Sequence, residues 1–297
     1  MIISTDNGAI RKRFGDIEAL RMIREAGFDG IDFTFDDMDP SNDLLALPNA
    51  RRRRAAEEIA RCAKELGLCF PQSHAPYDYA YGQPYDEKSY QDIVRSFEFC
   101  AYLGCKQMVI HTLKFPETVP SEESDRINRE FLRSFLPYAR EYDVNIGVEC
   151  LFWQDTKRGC MRPRHGTPHH MNRFIDSLDD PRFLCCCDVG HCALTGCEPE
   201  DFIAGMRAER LTMLHVHDVD YRHDLHTLPF LSKLNWEAVT RSLAHIGYQG
   251  AMNLEILFFY EKFPSAMMPA ALRLGAEAAR ELARMVENAG KPETAAR

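Results

Sequence analysis

The segment HVHDVDYRHDLH, residues 215–226, places four histidines and three aspartates in twelve positions next to an apolar run. Imidazoles and carboxylates at this density are either ligands of a divalent cation or a solvated polar loop, and spacing within the segment does not decide between them. His215 and His217 stand two apart, so on a strand they face the same side, and one of them is expected to be a ligand. Asp224 and His226 fall beyond the strand, in the following loop. Residues of the same chemistry recur at the ends of other short apolar runs: His74, His111, Glu149, Asp188 with His191, and Glu255. Each alone reads as a hydrogen-bonded core residue. Together they need a common explanation, because several carboxylates brought into one pocket are costly to bury unless a cation or protons neutralise them.

The order of elements supplies that pocket. Eight β-like runs, IIST from Ile2, GIDFTF from Gly30, LCFPQSHA from Leu68, KQMVIHT from Lys106, NIGVECL from Asn145, FLCCCDV from Phe183, LTMLHVHD from Leu211 and AMNLEIL from Ala251, alternate with segments of helical period. The helices are expected roughly over 16–26, 50–66, 88–103, 122–142, 168–178, 199–208, 235–246 and 266–288, several closing on glycine as at ELG, YLG and HIG. No Pro/Ser-rich linker divides them. The pattern predicts the α/β class and a single (β/α)8 TIM-barrel domain over residues 1–297, with AGKPETAAR at the end read as a frayed tail. In such a barrel the carboxyl ends of the strands converge on one axis, so six consecutive strand ends would share one site. An open doubly wound sheet would carry a glycine-rich phosphate loop after its first strand, and STDNGAIRKR is a poor match to one.

Composition narrows the partners. The chain is 45% hydrophobic and 27% charged with a net charge of −9, which disfavours general affinity for nucleic acid or an anionic membrane. The amino terminus has no apolar h-region and no run approaches transmembrane length. The eleven cysteines include Cys185, Cys186 and Cys187 but no C-x-x-C pair, so reduced, buried thiols in a cytoplasmic enzyme are expected. The run ARRRRAAEE from Ala50 reads as a solvated helix start with Arg53–Glu57 and Arg54–Glu58 pairs, or else as a phosphate-binding patch.

SHAPY, VIH, VEC, CDVGH, HVHDVDYRHDLH and NLEI, in this order over nearly the whole chain, resemble the motifs of the xylose-isomerase-like TIM-barrel superfamily. That superfamily includes sugar and sugar-phosphate isomerases and epimerases, inosose dehydratase and endonuclease IV. The resemblance to its ketose 3-epimerase branch implies a divalent ion held by Glu149, Asp188, His215 and Glu255. The resemblance implies Mn²⁺ first, with Mg²⁺, Co²⁺ or Zn²⁺ as alternatives, and three carboxylates with one imidazole suit Mn²⁺ or Mg²⁺ more than a structural zinc. His217, Asp224 and His226 are candidates for additional metal coordination. The activity implied is sugar isomerisation or epimerisation through an enediolate, with Glu149 and Glu255 as acid and base. His191, Arg222, His74, His111 and Trp153 are the expected substrate-binding residues. The expected partner is a small sugar or sugar phosphate, with the oligomeric state open to a homo-oligomer.

Two alternatives follow from the same residues. A dehydratase acting on a polyol or inosose-like substrate would begin from the same enediolate. His74, His111, Asp224 and His226, added to the four ligands and His191, also match the nine ligand positions of the endonuclease IV pattern, a zinc phosphodiesterase acting on abasic DNA. Against that reading, LPFLSKLNW follows His226 where a glycine-rich stretch is expected, and VECLFWQD lacks the run of small polar residues. Substrate contacts are expected from the loops APYDYAYGQPYD, FWQDTKRGCMRPRHG and FFYEKFP, where aromatic rings can stack on a sugar face and Arg162 and Arg164 can clamp an anionic group.

Overall fold

The computed structural model describes residues 1–35, 43–77, 87–115, 118–155 and 158–291. Eight parallel strands form one sheet: β1 (Ile3–Asp6), β2 (Gly30–Thr34), β3 (Cys69–His74), β4 (Gln107–Ile110), β5 (Asn145–Glu149), β8 (Phe183–Asp188), β9 (Leu211–His215) and β10 (Met252–Leu254). Their order, β10-β1-β2-β3-β4-β5-β8-β9, follows the chain around a ring. The ring closes just past the strand ends, where the Val216 N–H donates to the Asn253 carbonyl at 2.9 Å and the Glu255 N–H to the Val216 carbonyl at 3.1 Å. The outcome is the expected (β/α)8 barrel. Both faces of its strands are covered, which is why FLCCCD of β8 is buried at every position instead of alternating.

The helices expected from periodicity are α2 (Asp16–Ala26), α3 (Asn49–Leu66), α4 (Glu87–Leu103), α7 (Pro168–Ser177), α9 (Pro199–Gly205), α10 (Trp236–His245) and α12 (Met268–Ala289). The helix expected over 122–142 is instead two, α5 (Ser121–Ser134) and α6 (Leu136–Glu141), divided at Phe135. Pro137, in the first turn of α6, lacks the N–H that would continue the ladder. Three short helices were not foreseen: α1 (Gly8–Phe14), α8 (Val189–Leu194) and α11 (Leu257–Glu261). Each directly follows a strand, at five to seven residues too short for a periodic signal.

The long loop after β5 is an antiparallel hairpin, β6 (Leu151–Asp155) and β7 (Cys160–Arg164), with Trp153 opposite Arg162. Of the arginine run, Arg52 is buried and bonded to Glu98 at 2.8 Å, and Arg53 pairs with Glu57 at 2.7 Å, so these side chains serve the helix start. Most of APYDYAYGQPYD and most of the expected tail lie outside the described residues. Among the described residues no helix is long and apolar enough to cross a membrane.

Candidate metal centre and active-site cleft

Strand register delivers the donors to one level. Asp188 stands opposite His215 across β8 and β9, and Glu149 stands opposite Cys186, two residues before Asp188. Glu255 follows β10 immediately. The donor atoms of Glu149, Asp188, His215 and Glu255 all lie within 4.8 Å of one another. His215 is the hub: its Nδ1 is 3.3 Å from Glu255 Oε2, 3.4 Å from Glu149 Oε1 and 3.9 Å from Asp188 Oδ2.

Two further donor groups adjoin this one. On one flank the His111 Nε2 is 2.8 Å from Glu149 Oε2 and the His74 Nε2 is 3.1 Å from the His111 Nε2. On the other, His191, His217, Asp224 and His226 form a second cluster. The His217 Nε2 is 2.9 Å from Asp188 Oδ1, and its ring stacks on His226 at 3.9 Å between centroids. Asp224 Oδ2 lies 3.3 Å from the His226 Nε2 and 3.8 Å from the His191 Nε2.

Local sequence explains how these groups are held. Asp188 caps α8, its carboxylate accepting the His191 N–H at 2.7 Å, so the CDVGH turn fixes a candidate ligand and a neighbouring histidine together. Gly190 in that turn is obligatory for space, because a Cβ there would sit 2.1 Å from the His217 ring. The loop carrying Asp224 and His226 is folded around Asp218. Its carboxylate accepts from the N–H groups of Ser232, Lys233 and Leu234 and from the Trp236 indole at 3.0–3.1 Å. The LPFLSKLNW stretch therefore has a scaffold of its own.

The electrostatics are those of a buried, mutually dependent set. Burial alone would raise the Glu149 carboxyl, but His111, His215 and His191 around it hold it well below the usual range. Glu255 goes the other way, pushed up to about 7 by burial and by Glu149 and Asp188, against the pull of His215 and His226. His111 is driven down to about 4, chiefly by burial. Burial would lower His226 too, but Asp224 and Glu255 hold it at about 9. Glu255 Oε2 and the His215 Nδ1, 3.3 Å apart, are buried without a hydrogen-bond partner. An orphaned oxygen and an orphaned ring nitrogen meeting beside Glu149 and Asp188 fit a divalent cation, with a carboxylate-rich set favouring a hard or borderline ion.

Two residues escaped the sequence reading. Asp32, 1% exposed, accepts from Gln72 at 2.7 Å and Asn253 at 2.8 Å and lies 3.6 Å from the His215 Nε2. It thus stands behind the hub imidazole and orients it. Asp6, pushed up to about 7 by burial and by Asp32, lies opposite Asp32 in the register and accepts the Ile256 N–H at 3.2 Å. The available signal was a carboxylate inside or at the end of a strand that is otherwise apolar.

A cleft of about 520 Å³ opens above the cluster, lined among others by His74, His111, His191, Phe152 and Trp153. Glu149, Asp224, His226 and Glu255 also reach it. Arg222 is not among its lining residues: it is exposed on a turn whose Asp220 carboxylate accepts the Arg222 backbone N–H. Arg162, expected to clamp an anion, donates to Asp155 at 2.9 Å and lies over the Trp153 ring.

Comparison with known proteins follows the same architecture. An uncharacterised protein, y4fM of Sinorhizobium fredii, is 26% identical over 265 residues, covering 80% of this chain and 79% of that protein. Among solved structures, a D-tagatose 3-epimerase-like protein aligns with a TM-score of 0.74 at 17% identity, covering 97% of this chain and 99% of its own. The IOLI protein with a bound zinc atom aligns at 0.69 and 16% identity, covering 97% and 99%. A putative xylose isomerase from Rhodospirillum rubrum aligns at 0.75 and 15% identity, covering 95% and 99%. Residues 20–288 match the family described as xylose isomerase-like TIM barrel, and the chain belongs to that family.

Proposed function

We propose that this protein is a metal-dependent sugar or sugar-phosphate isomerase or epimerase, with Glu149, Asp188, His215 and Glu255 as the ligands of a divalent ion, most suitably Mn²⁺. The observation that carries the reading is the meeting of three carboxylates and one imidazole within 4.8 Å at the floor of an open cleft. When bound, such an ion polarises carbonyl and hydroxyl oxygens and acidifies the C–H between them. The chain's own residues do the rest. Glu149 and Glu255 both face the cleft, so one carboxylate takes the proton from carbon to give the enediolate and the other returns it. Proton return by the second carboxylate on the opposite face inverts the carbon; where one carboxylate does both on one face, returning the proton to the neighbouring carbon, aldose and ketose interconvert. His191, held by the Cys150 carbonyl at 3.1 Å, points into the cleft and binds a substrate hydroxyl. Phe152 and Trp153, carried on the hairpin, offer apolar faces to the sugar ring.

The test is solvent exchange. Protein loaded with Mn²⁺ and incubated with free and phosphorylated ketoses in deuterated water should incorporate deuterium at the epimerised carbon, and E149Q and E255Q should not. No exchange with any ketose or aldose, in protein carrying its metal, would sink the proposal. A second reading rests on a separate observation. His74 and His111 beside Glu149, and His191, Asp224 and His226 beside Asp188, give the cluster room for more than one ion. Two or three zinc ions held by these residues of the cleft, with cleavage of abasic-site DNA, would favour a phosphodiesterase instead.

A further inference from the structure

Outside the cleft, a second set of donors meets where the hairpin returns to the helical ring. Asp125 on α5, His165 just after β7 and His170 in the first turn of α7 bring one donor atom each within 4.8 Å of the others. Asp125 Oδ1 is 3.2 Å from the His165 Nε2, and Asp125 Oδ2 is 2.8 Å from the His170 Nε2. His165 is 1% exposed, its ring stacked on Phe174 at 4.1 Å, and its other nitrogen is buried with no partner. Its backbone is held at φ 54, the left-handed region that a non-glycine residue occupies at a cost. The three residues line a cavity of about 370 Å³ that includes Trp153, whose ring also lines the catalytic cleft.

We infer that Asp125, His165 and His170 form a second metal site that takes zinc, tying the β6–β7 hairpin to α5 and α7. Two imidazoles and one carboxylate are a donor set zinc accepts, and the adjoining cavity leaves a fourth position for water or an exogenous ligand. The donors come from three separate elements, so the ion would hold Trp153 and Phe152 in place over the cleft. A carboxylate merely accepting hydrogen bonds from two histidines is the competing account, and the two differ in stoichiometry.

The experiment is equilibrium dialysis of metal-stripped protein against zinc, followed by elemental analysis, for wild type, H170A, D125N and H215A. His170 is about a third exposed at its side chain, so H170A keeps the core intact, which circular dichroism would confirm. The expected result is that H170A and D125N each bind one zinc fewer than wild type. H215A should lose zinc from the catalytic centre and still lose one more when combined with H170A, which separates this site from the proposed function. Zinc should also slow amide exchange across the β6–β7 hairpin in wild type and leave it unchanged in H170A. Equal zinc content in wild type, H170A and D125N would overturn the inference and leave Asp125 as a hydrogen-bond acceptor only.

Discussion

Two levels of the barrel interior, one residue pair apart, have opposite chemistry. On strand after strand the inward position at the rim bears a donor and the inward position two residues earlier does not ligate: Val109 below His111, Gly147 below Glu149, Cys186 below Asp188, Met213 below His215. Val109, Leu184, Cys186 and Met213 pack as a small apolar cluster separate from the main core, which lies between the barrel and its helices. Gly147 belongs to this fit, since a Cβ there would meet the Met213 methyl carbon at 2.6 Å. Gln72 and Asn253, two residues before His74 and Glu255, add polar side chains to this level and both donate to Asp32. The lower level makes a buried floor. Above it, buried carboxylates and imidazoles act on one another at a strength they would lack on the surface.

Substitutions can test that division. On the proposed function, E149Q should weaken metal binding and lower turnover by about 10²–10⁴-fold, with thermal unfolding of the metal-free protein little changed, read by steady-state kinetics and melting curves. A loss confined to KM would break the comparison, because it would make Glu149 a binding residue alone. M213A should do the reverse. It should lower stability by about 2–5 kcal/mol through a cavity under the site, measured by urea unfolding, while metal content stays at the wild-type value. G190A should cost about 1–3 kcal/mol, because the added methyl collides with the His217 ring, and it should disturb the rim level.

A smaller and pH-dependent effect is expected at Asp6. Its folded-state value of about 7 lies above the ordinary 3.8, so the unfolded chain gives up this proton at lower pH than the folded one. Stability from this group is therefore complete below about pH 4 and falls as pH rises towards 7. D6N should remove that slope and unfold a few degrees above wild type at pH 8, by roughly 1–2 kcal/mol. Parallel melting curves for the two proteins from pH 4 to 8 would refute the assignment. The smallest effect is predicted for R222A, where both turnover and melting temperature should stay within error, since the residue reaches neither level.

The strand ends were legible because each is a local event: a donor such as His111 or Glu149 closing an apolar run is visible in a window of a few residues, and the barrel rule then collects them. Asp32 was overlooked because it lies inside the run GIDFTF, where an inward carboxylate and an outward one look alike until the register is known. Arg222 stands apart from the cleft for the converse reason. It sits among donors in the sequence, but the turn at Asp220 carries it outward while Asp224 and His226 fold back.

The sequence by itself determined the class of fold, the alternation of strand and helix, and the residue types that could bind a cation, because these rest on periodicity and on chemistry carried within single segments. Only the tertiary structure decided which donors meet. It brought Glu149, Asp188, His215 and Glu255 to one point, made a hairpin of the fifth loop, and set Asp125 beside His165 and His170. Those meetings join residues tens to more than a hundred positions apart, and their distances depend on register and barrel closure, which no local window contains.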